Sequence, residues 1–495
     1  MALWPRHAAE VVERDGLRVY AEQPETLPAL IARAVERHAS APAASELGGR
    51  AVTYERLWEE SAKVAGALQQ RLQVEPGDRV AFVAANCLDL LVGVIGTWRA
   101  GAVAVTLNTK YTGRELERQL ARCSPRVVLA EPEWLSKVSQ QSSVHLLSDV
   151  RDGGPLEPVS IRAEDPALIM FTSGTSGSSK GAIQSHLNVV SAAETYVRCL
   201  ELQAGETTVV AAPLFHVTGL NGQTLPVLAA GGAVAIMPRF DAERLVDVLA
   251  SGAAEFLHAA PAIYALAIDA AGGRRARGLR VCVSGGSFVS RSLVDRVRAF
   301  APGVDFRISY GMTETSSPAV LTPPGWIADR PGDAVGVAVP VDDVRTDDEG
   351  EIQFRGATVI AGYHDEEAIE GAFVDGWLRS GDLGTIDGEG FVTVLDRIKD
   401  VINRGAEKIT SLEVEEALCA HPAVAEAAVV GKPDRIYGEV ARAVVVLAEG
   451  GGTTEAELQE FAAERLAKFK VPAEIMFADE LPRNPGGKVE KTRLR

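Results

Sequence analysis

Ala167-Leu168-Ile169-Met170-Phe171-Thr172-Ser173-Gly174-Thr175-Ser176-Gly177-Ser178-Ser179-Lys180-Gly181 is the stretch on which the reading of this chain turns. It opens with a continuous apolar run, which predicts a strand buried on both faces. Hydroxyls, glycines and one lysine follow. A strand that ends in such a loop can wrap an anion, because glycine lets the backbone approach and the amides carry partial positive charge. It is not a Walker loop: Ser179 precedes Lys180 and Gly181 follows it, where Gly and Ser/Thr are required. Alone, the segment reads equally well as a solvated Ser/Gly loop.

Working outward, residues 53–72 predict an amphipathic helix: Leu57, Ala62, Val64, Ala65 and Leu68 recur near helical spacing behind a Thr N-cap. A buried strand at 79–83, a helix at 88–100 and a strand at 102–106 come next. Strand-like runs return near 207–212, 233–237, 254–258 and 279–284, and such alternation implies mainly parallel sheets covered by helices. Residues 344–394 are rich in Gly and Asp with short strand-like runs at 351–354 and 390–394, which suits a smaller β-rich subdomain. Asp396-Arg397-Ile398-Lys399-Asp400 reads as a charged connector to a compact α+β unit.

A chain of 495 residues exceeds one core, and its net charge of −17 argues against nucleic acid or an anionic membrane as main partner. Cys87, Cys123, Cys199, Cys282 and Cys419 are scattered without metal-ligand spacing, which fits a reducing cytoplasm. No signal-peptide core and no apolar stretch of membrane-spanning length is present, so a soluble cytoplasmic protein is expected.

Further strings follow the loop in order: Pro213-Leu214-Phe215-His216, Tyr310-Gly311-Met312-Thr313-Glu314, Ser380-Gly381-Asp382-Leu383, residues 396–400, and Asn484-Pro485-Gly486-Gly487-Lys488. Together they resemble the adenylate-forming superfamily: acyl-CoA synthetases, aryl-acid ligases, luciferases and peptide-synthetase adenylation domains. The resemblance implies an α/β fold, with a large N-terminal domain of two helix-covered, mainly parallel sheets plus a β-rich subdomain. A small mobile α+β C-terminal domain completes it. It implies an adenylation domain over 1–395, a hinge at 396–400 with Lys399 as pivot, and a swivelling domain over 401–495. It also implies a carboxylic acid substrate, ATP, Mg²⁺ and, as acceptor, CoA. A homodimer stays open.

In that family a carboxylate attacks the α-phosphorus of ATP and releases pyrophosphate. Two anions must be brought together and a crowded phosphorus stabilised, which calls for cations, a metal and aimed donors. By resemblance Thr172, Ser173, Gly174, Thr175, Ser176, Gly177 and Lys180 hold the β- and γ-phosphates. Tyr310 packs on the adenine, Gly311 and Met312 join it in binding the nucleotide and are candidate walls of the acyl pocket, Thr313 reaches the α-phosphate, and Glu314 with Thr175 serves Mg²⁺. Ser284-Gly285-Gly286-Ser287 resembles the loop beside adenine and the acyl pocket. Asp382 accepts from the ribose hydroxyls, Arg397 stays near ribose and phosphate, and Lys488 bridges the carboxylate and the α-phosphate. His216 looks like a pocket wall or gate, and Asn221 joins the candidate wall residues. The Pro213–His216 motif lacks the Asp that amino-acid-activating relatives use.

Two loop positions depart from the commonest family form, Ser176 for Thr and Ser179 for Pro, and both keep a loop. In the stretch Asn403-Arg404-Gly405-Ala406-Glu407, CoA-using relatives carry two adjacent glycines beside the acceptor tunnel. Here Ala406 stands at the second, and its methyl tells against assuming CoA. Three readings therefore stand: a carboxylate–CoA ligase for a fatty or aryl acid; an adenylating enzyme with another acceptor or an activated small anion (a carrier-protein thiol, an amine, nitrite); and a nucleotide-binding regulator without catalysis.

Overall fold

The computed structural model describes residues 3–138, 141, 143–172, 180–326, 334–365, 369–405, 407–448, 450–483 and 488–495. Among them the strands form four sheets. The expected helix behind Thr53 spans Tyr54–Gln70, and the Thr53 hydroxyl accepts from the Arg56 amide at 3.2 Å. No helix among the described residues is long and apolar enough to cross a membrane.

The first sheet carries the strand Pro166–Thr172 near its centre, parallel to Val103–Thr106, with Arg79–Val83, Val127–Ala130 and Val144–Leu146 beyond. The apolar run is buried on both faces, as its composition predicts: Leu168 and Met170 belong to one core cluster and Ile169 to another. The helix Leu88–Arg99 lies across it, and the Trp98 indole N–H donates to the Ala167 carbonyl at 2.8 Å. Lys180–Ser185 returns antiparallel, with Lys180 opposite Thr172. Those two residues are thereby anchored at the ends of the loop.

The second sheet is parallel through Pro42–Glu46, Ala233–Ile236, Thr207–Val210, Phe256–Ala259, Val281–Gly285 and Asp305–Tyr310. It then continues antiparallel through Val320–Leu321, Ala334–Ala338, Phe391–Arg397, Trp377–Ile386, Glu351–Gly356 and Asp342–Thr346. The β-rich stretch thus extends the second sheet. From the same stretch, Gly362–Tyr363 pairs with Lys180–Ser185, Tyr363 opposite Ala182, and closes an edge of the first sheet.

The C-terminal unit packs the helices Ser411–Cys419 and Glu455–Ala463 on a sheet that includes Ile402–Arg404, Val424–Asp434, Gly438–Leu447 and Glu474–Phe477. Its own core holds Ile402, Val414, Leu418, Val429, Val445 and Leu458.

Candidate active site

Parallel strands of an α/β sheet present ligands at their C-terminal ends, and there the motif residues gather. Asp305–Tyr310 runs into Gly311 and Met312 and then into a single turn, Thr313–Thr315. A Cβ at Gly311 would stand 1.9 Å from the Ser317 carbonyl oxygen, so only glycine fits the close approach. The next residues, Ser316 and Ser317, take φ of +53° and +127°, conformations that cost a side-chain-bearing residue free energy. Hydrogen bonds hold them there. The Met312 amide donates to the Thr315 hydroxyl at 2.9 Å, and Tyr196 meets the Ser317 hydroxyl at 2.9 Å. Underneath, Gln184 donates to the Thr313 carbonyl at 2.9 Å and accepts from Asn221 at 2.7 Å. Alongside, Ser284 and Gly285 are the last residues of their strand and the turn begins at Gly286, φ +79°. A Cβ at Gly285 would come within 2.4 Å of the Ser309 carbonyl oxygen.

Two carboxylates face this cleft, and each has its own partners. Asp382 and Arg397 lie opposite each other in antiparallel strands, and that register places the guanidinium Nε 2.7 Å from Asp382 Oδ1. The Tyr310 hydroxyl donates to Asp382 Oδ2 at 2.8 Å. A carboxylate offers about four lone-pair sites, so capacity for further donors remains. Burial raises the Asp382 carboxyl above its usual range, against the opposing pull of Arg397, Tyr310 and Lys488. Glu314, 5% exposed, accepts from the Tyr363 hydroxyl at 2.9 Å. Burial raises its carboxyl too, and the charges of Lys488 and Arg397 act the other way. Over the Tyr363 ring, 5.3 Å from its centroid, sits the Lys180 ammonium.

Lys488 reaches the same cleft from the C-terminal unit. Its ammonium feels Arg397, Asp382 and Glu314 at once. Desolvation and then Arg397 hold it below the ordinary lysine range, while Asp382 and Glu314 pull upward. His216 caps the short helix Val217–Gly219, with its Nδ1 accepting from the Thr218 amide at 3.2 Å. Burial, aided by Lys488, lowers its pKa to about 4, so the ring is neutral at neutral pH. That suits a wall residue better than a charged group.

A glutamate that burial makes costly to ionise is relieved by a cation. Magnesium asks for few protein carboxylates because phosphate oxygens and water complete its shell. Glu314, with Thr313 beside it, fits such an ion. No cluster of three or more ligating side chains occurs among the described residues.

Of the remaining expected residues, Ser173, Gly174, Thr175, Ser176 and Gly177 lie outside the described residues, as do Ala406 and 484–487. Gly405 takes φ +63° and donates its N–H to the Tyr437 carbonyl at 2.6 Å. Lys399 is exposed in the turn Ile398–Asp400, and its carbonyl accepts from Arg495 at 2.9 Å. The stretch 396–400 is less of a solvated connector than its charge suggests. Asp396 is 1% exposed and accepts from both the amide and the hydroxyl of Ser411, at the start of the helix Ser411–Cys419. Lys491, three positions beyond Lys488, joins the group: its ammonium is 2.5 Å from the Ser411 hydroxyl and 2.7 Å from Glu415. Sequence reasoning missed Tyr363, Gln184 and this Asp396 cluster. Each is an unremarkable residue whose partner lies elsewhere in the chain.

Residues 31–364 match the family model described as AMP-binding enzyme, and residues 413–488 match AMP-binding enzyme C-terminal domain. The chain is 33% identical to 3-[(3aS,4S,7aS)-7a-methyl-1,5-dioxo-octahydro-1H-inden-4-yl]propanoyl:CoA ligase of Rhodococcus jostii (strain RHA1), over 96% of this chain and 99% of that one. It is 34% identical to a feruloyl-CoA synthase of Amycolatopsis sp, over 90% and 94%. Among solved structures it resembles the o-succinylbenzoate CoA synthetase of Bacillus subtilis at 28% identity. In that enzyme's complex with the acyl-adenylate OSB-AMP the TM-score is 0.86, covering 94% of this chain and 97% of that one. In its complex with ATP and magnesium ion the TM-score is 0.85, covering 94% and 98%.

Proposed function

Because this chain belongs to the AMP-binding enzymes of the adenylate-forming superfamily, we propose a two-step acid–thiol ligase whose roles follow from the groups in its cleft. In the first step a carboxylate oxygen of the acid attacks the α-phosphorus of ATP. The bond to the β-phosphate oxygen breaks, pyrophosphate leaves, and the acid is held as acyl-AMP. In the second step the thiol of CoA attacks the acyl carbonyl, its proton is lost, and AMP departs. A thioester forms.

Lys488 neutralises the two anions that must meet, with Thr313 near the α-phosphate. Its pull strengthens as protein replaces water around it. Asp382 receives the ribose hydroxyls, Tyr310 lies beside the base with Gly311 and Met312, and Arg397 is a fixed charge beside both. Thr172 and Lys180 anchor the loop for the β- and γ-phosphates, which Ser173–Gly177 would complete. Glu314 would hold Mg²⁺, which would supply Lewis-acid charge to the phosphates. Ser284, Gly285, Gly286 and the neutral His216 wall the acyl and adenine spaces. For the second step, residues 401–495 turn about Lys399 relative to 1–395, so that Gly405 and Ala406 border the path of the thiol. The cytoplasm, where ATP and CoA are plentiful, is the expected setting.

The observation that carries this reading is the convergence of Lys488, Asp382, Arg397 and Glu314 in one cleft, supported by similarity to CoA ligases along nearly the whole chain. The relatives described above act, by their names, on ring-bearing acids, so a ring-bearing carboxylic acid is the substrate class proposed. Pyrophosphate release with a panel of such acids tests it. Release that depends on acid, with AMP and thioester appearing on adding CoA, is expected. Release without thioester formation would move the acceptor to another nucleophile.

A further inference from the structure

Asp382 stands in an irregular stretch of its sheet. Glu351 pairs with Leu383 and Gln353 with Arg379, so Ile352 alone on one strand faces Ser380, Gly381 and Asp382 on the other. A bulge of this kind leaves backbone N–H groups without ladder partners and re-aims a side chain. Here two side chains take up those groups. Glu351 Oε1 accepts from the Gly381 amide at 2.9 Å, and the Ser380 hydroxyl accepts from the Asp382 amide at 2.9 Å. Gly381 takes φ +72°, in the left-handed region that favours glycine. Apart from its chain neighbours, no described atom lies within 4 Å of where its Cβ would stand. Close packing therefore does not hold this turn at Gly381. Its hydrogen bonds do.

Glu351 is 3% exposed, and its second oxygen, Oε2, lies 2.6 Å from both Nε and Nη2 of Arg379. A carboxylate taken out of water needs partners to offset its lost hydration. Arg379 is the weaker of the two, because its side chain is 42% exposed and water screens so open a pair. The Gly381 amide is the more specific partner, since it asks for an acceptor at one fixed point. One oxygen of Glu351 thus balances charge near the surface, and the other holds the turn. The Asp382 carboxylate itself is gripped by Arg397 and Tyr310. Its backbone takes its place from the turn that Glu351 and Ser380 hold.

We propose that Glu351 is a positioning residue for nucleotide recognition: by accepting from the Gly381 amide it fixes the bulge, and so sets the aim of Asp382 at the ribose hydroxyls. The assignment rests on the reading of Asp382 as the ribose acceptor and adds a residue that does not touch the nucleotide. Two conservative changes separate the two roles of its carboxylate. Glutamine keeps the length of the side chain and an oxygen for the amide, but loses the charge that faces Arg379. Aspartate keeps the charge, but one methylene less draws its oxygens back by about 1.5 Å, beyond hydrogen-bond distance of the amide.

The test measures, by calorimetry on the full chain with Mg²⁺, the Kd of ATP beside those of 2′-deoxy-ATP and 3′-deoxy-ATP. The wild type should bind ATP roughly 10- to 100-fold more tightly than the deoxy analogues, the scale of a hydrogen bond to a charged group. Glu351→Gln should keep that ratio within about threefold, and Glu351→Asp should bring it to within about threefold of unity. In an Asp382→Ala background, Glu351→Asp should change the ratio no further, because residues that act through one group do not add. A general loss of stability would weaken all three nucleotides alike and leave the ratio where it was. A ratio kept in Glu351→Asp, or lost in Glu351→Gln, overturns the proposal while the ribose reading of Asp382 stands. Equal binding of the three nucleotides by the wild type overturns both.

Discussion

The wall at Tyr310–Ser317 and the segment that carries Lys488 border the same cleft, yet they are built in opposite ways. The wall is set by close packing: Gly311 has no room for a Cβ, two serines hold positive φ, and hydroxyls fix the turn. The lysine is brought in from another unit, held by polar contacts from Lys491 and Ser411 to Glu415 and Asp396. Packing resists displacement in every direction, whereas a few directional polar bonds can be exchanged for others at small net cost. One side of the cleft is fixed by packing and the other by polar contacts.

The largest expected effect comes from removing the cation that the polar side carries. Lys488→Ala should slow pyrophosphate release about 100- to 1,000-fold, the scale of losing a charge-stabilising donor. The melting temperature should hardly move; a rate within a few-fold of wild type would remove Lys488 from the chemistry. The fixed side breaks differently. Gly311→Ala should destabilise the fold by roughly 2–4 kcal/mol in denaturant titration, because its Cβ has to displace backbone. Gly286→Ala, where nothing lies within 4 Å and only the positive φ objects, should cost about 1 kcal/mol. Equal losses at the two glycines would refute the packing argument.

Smaller effects sharpen the contrast. Asp396→Asn weakens the contact to Ser411, and a misplaced cation should lower pyrophosphate release about tenfold. The variant's urea midpoint should stay close to that of the wild type, and a large drop would make Asp396 a stability residue. The smallest effect is one of pH. Desolvation and Arg397 lower the Lys488 pKa, so its proton is lost at a lower pH than an ordinary lysine's. The rate of pyrophosphate release should therefore be sustained below that pKa and fall as pH rises through it. Lys488→Arg, permanently charged, should lose the alkaline decline even if it is slower throughout. An identical alkaline limb in both proteins would assign it to another group.

What the sequence made legible were residues whose chemistry is written locally. The apolar run before Thr172, the Tyr310–Glu314 motif and the Asp382 turn each hold their message within a few positions. Tyr363 was not legible because it matters through Glu314, 49 residues away, and through a two-residue strand that no periodicity could announce. Nor was the union of the β-rich stretch with the second sheet, since short strands declare their existence but not their neighbours. Asp396 misled for a related reason: in a run of charges it reads as solvated, and only the amide and hydroxyl of Ser411 explain its burial.

The N-terminal hairpin, Val11–Arg14 with Leu17–Tyr20, adds a consequence for how the molecule is made. Arg18 pairs with Asp343 and donates to the Asp342 carbonyl, 324 positions downstream. A ribosome adding about 5 to 20 residues per second leaves that arginine without its partner for about 15 to 65 s. The strand Pro42–Glu46 belongs to the same sheet as Phe391–Arg397. The large unit therefore cannot close during most of its own translation, and the nascent chain must spend that interval shielded or exposed. Synthesis of the last hundred residues, which bring Lys488, begins only when the sheet has its final strand.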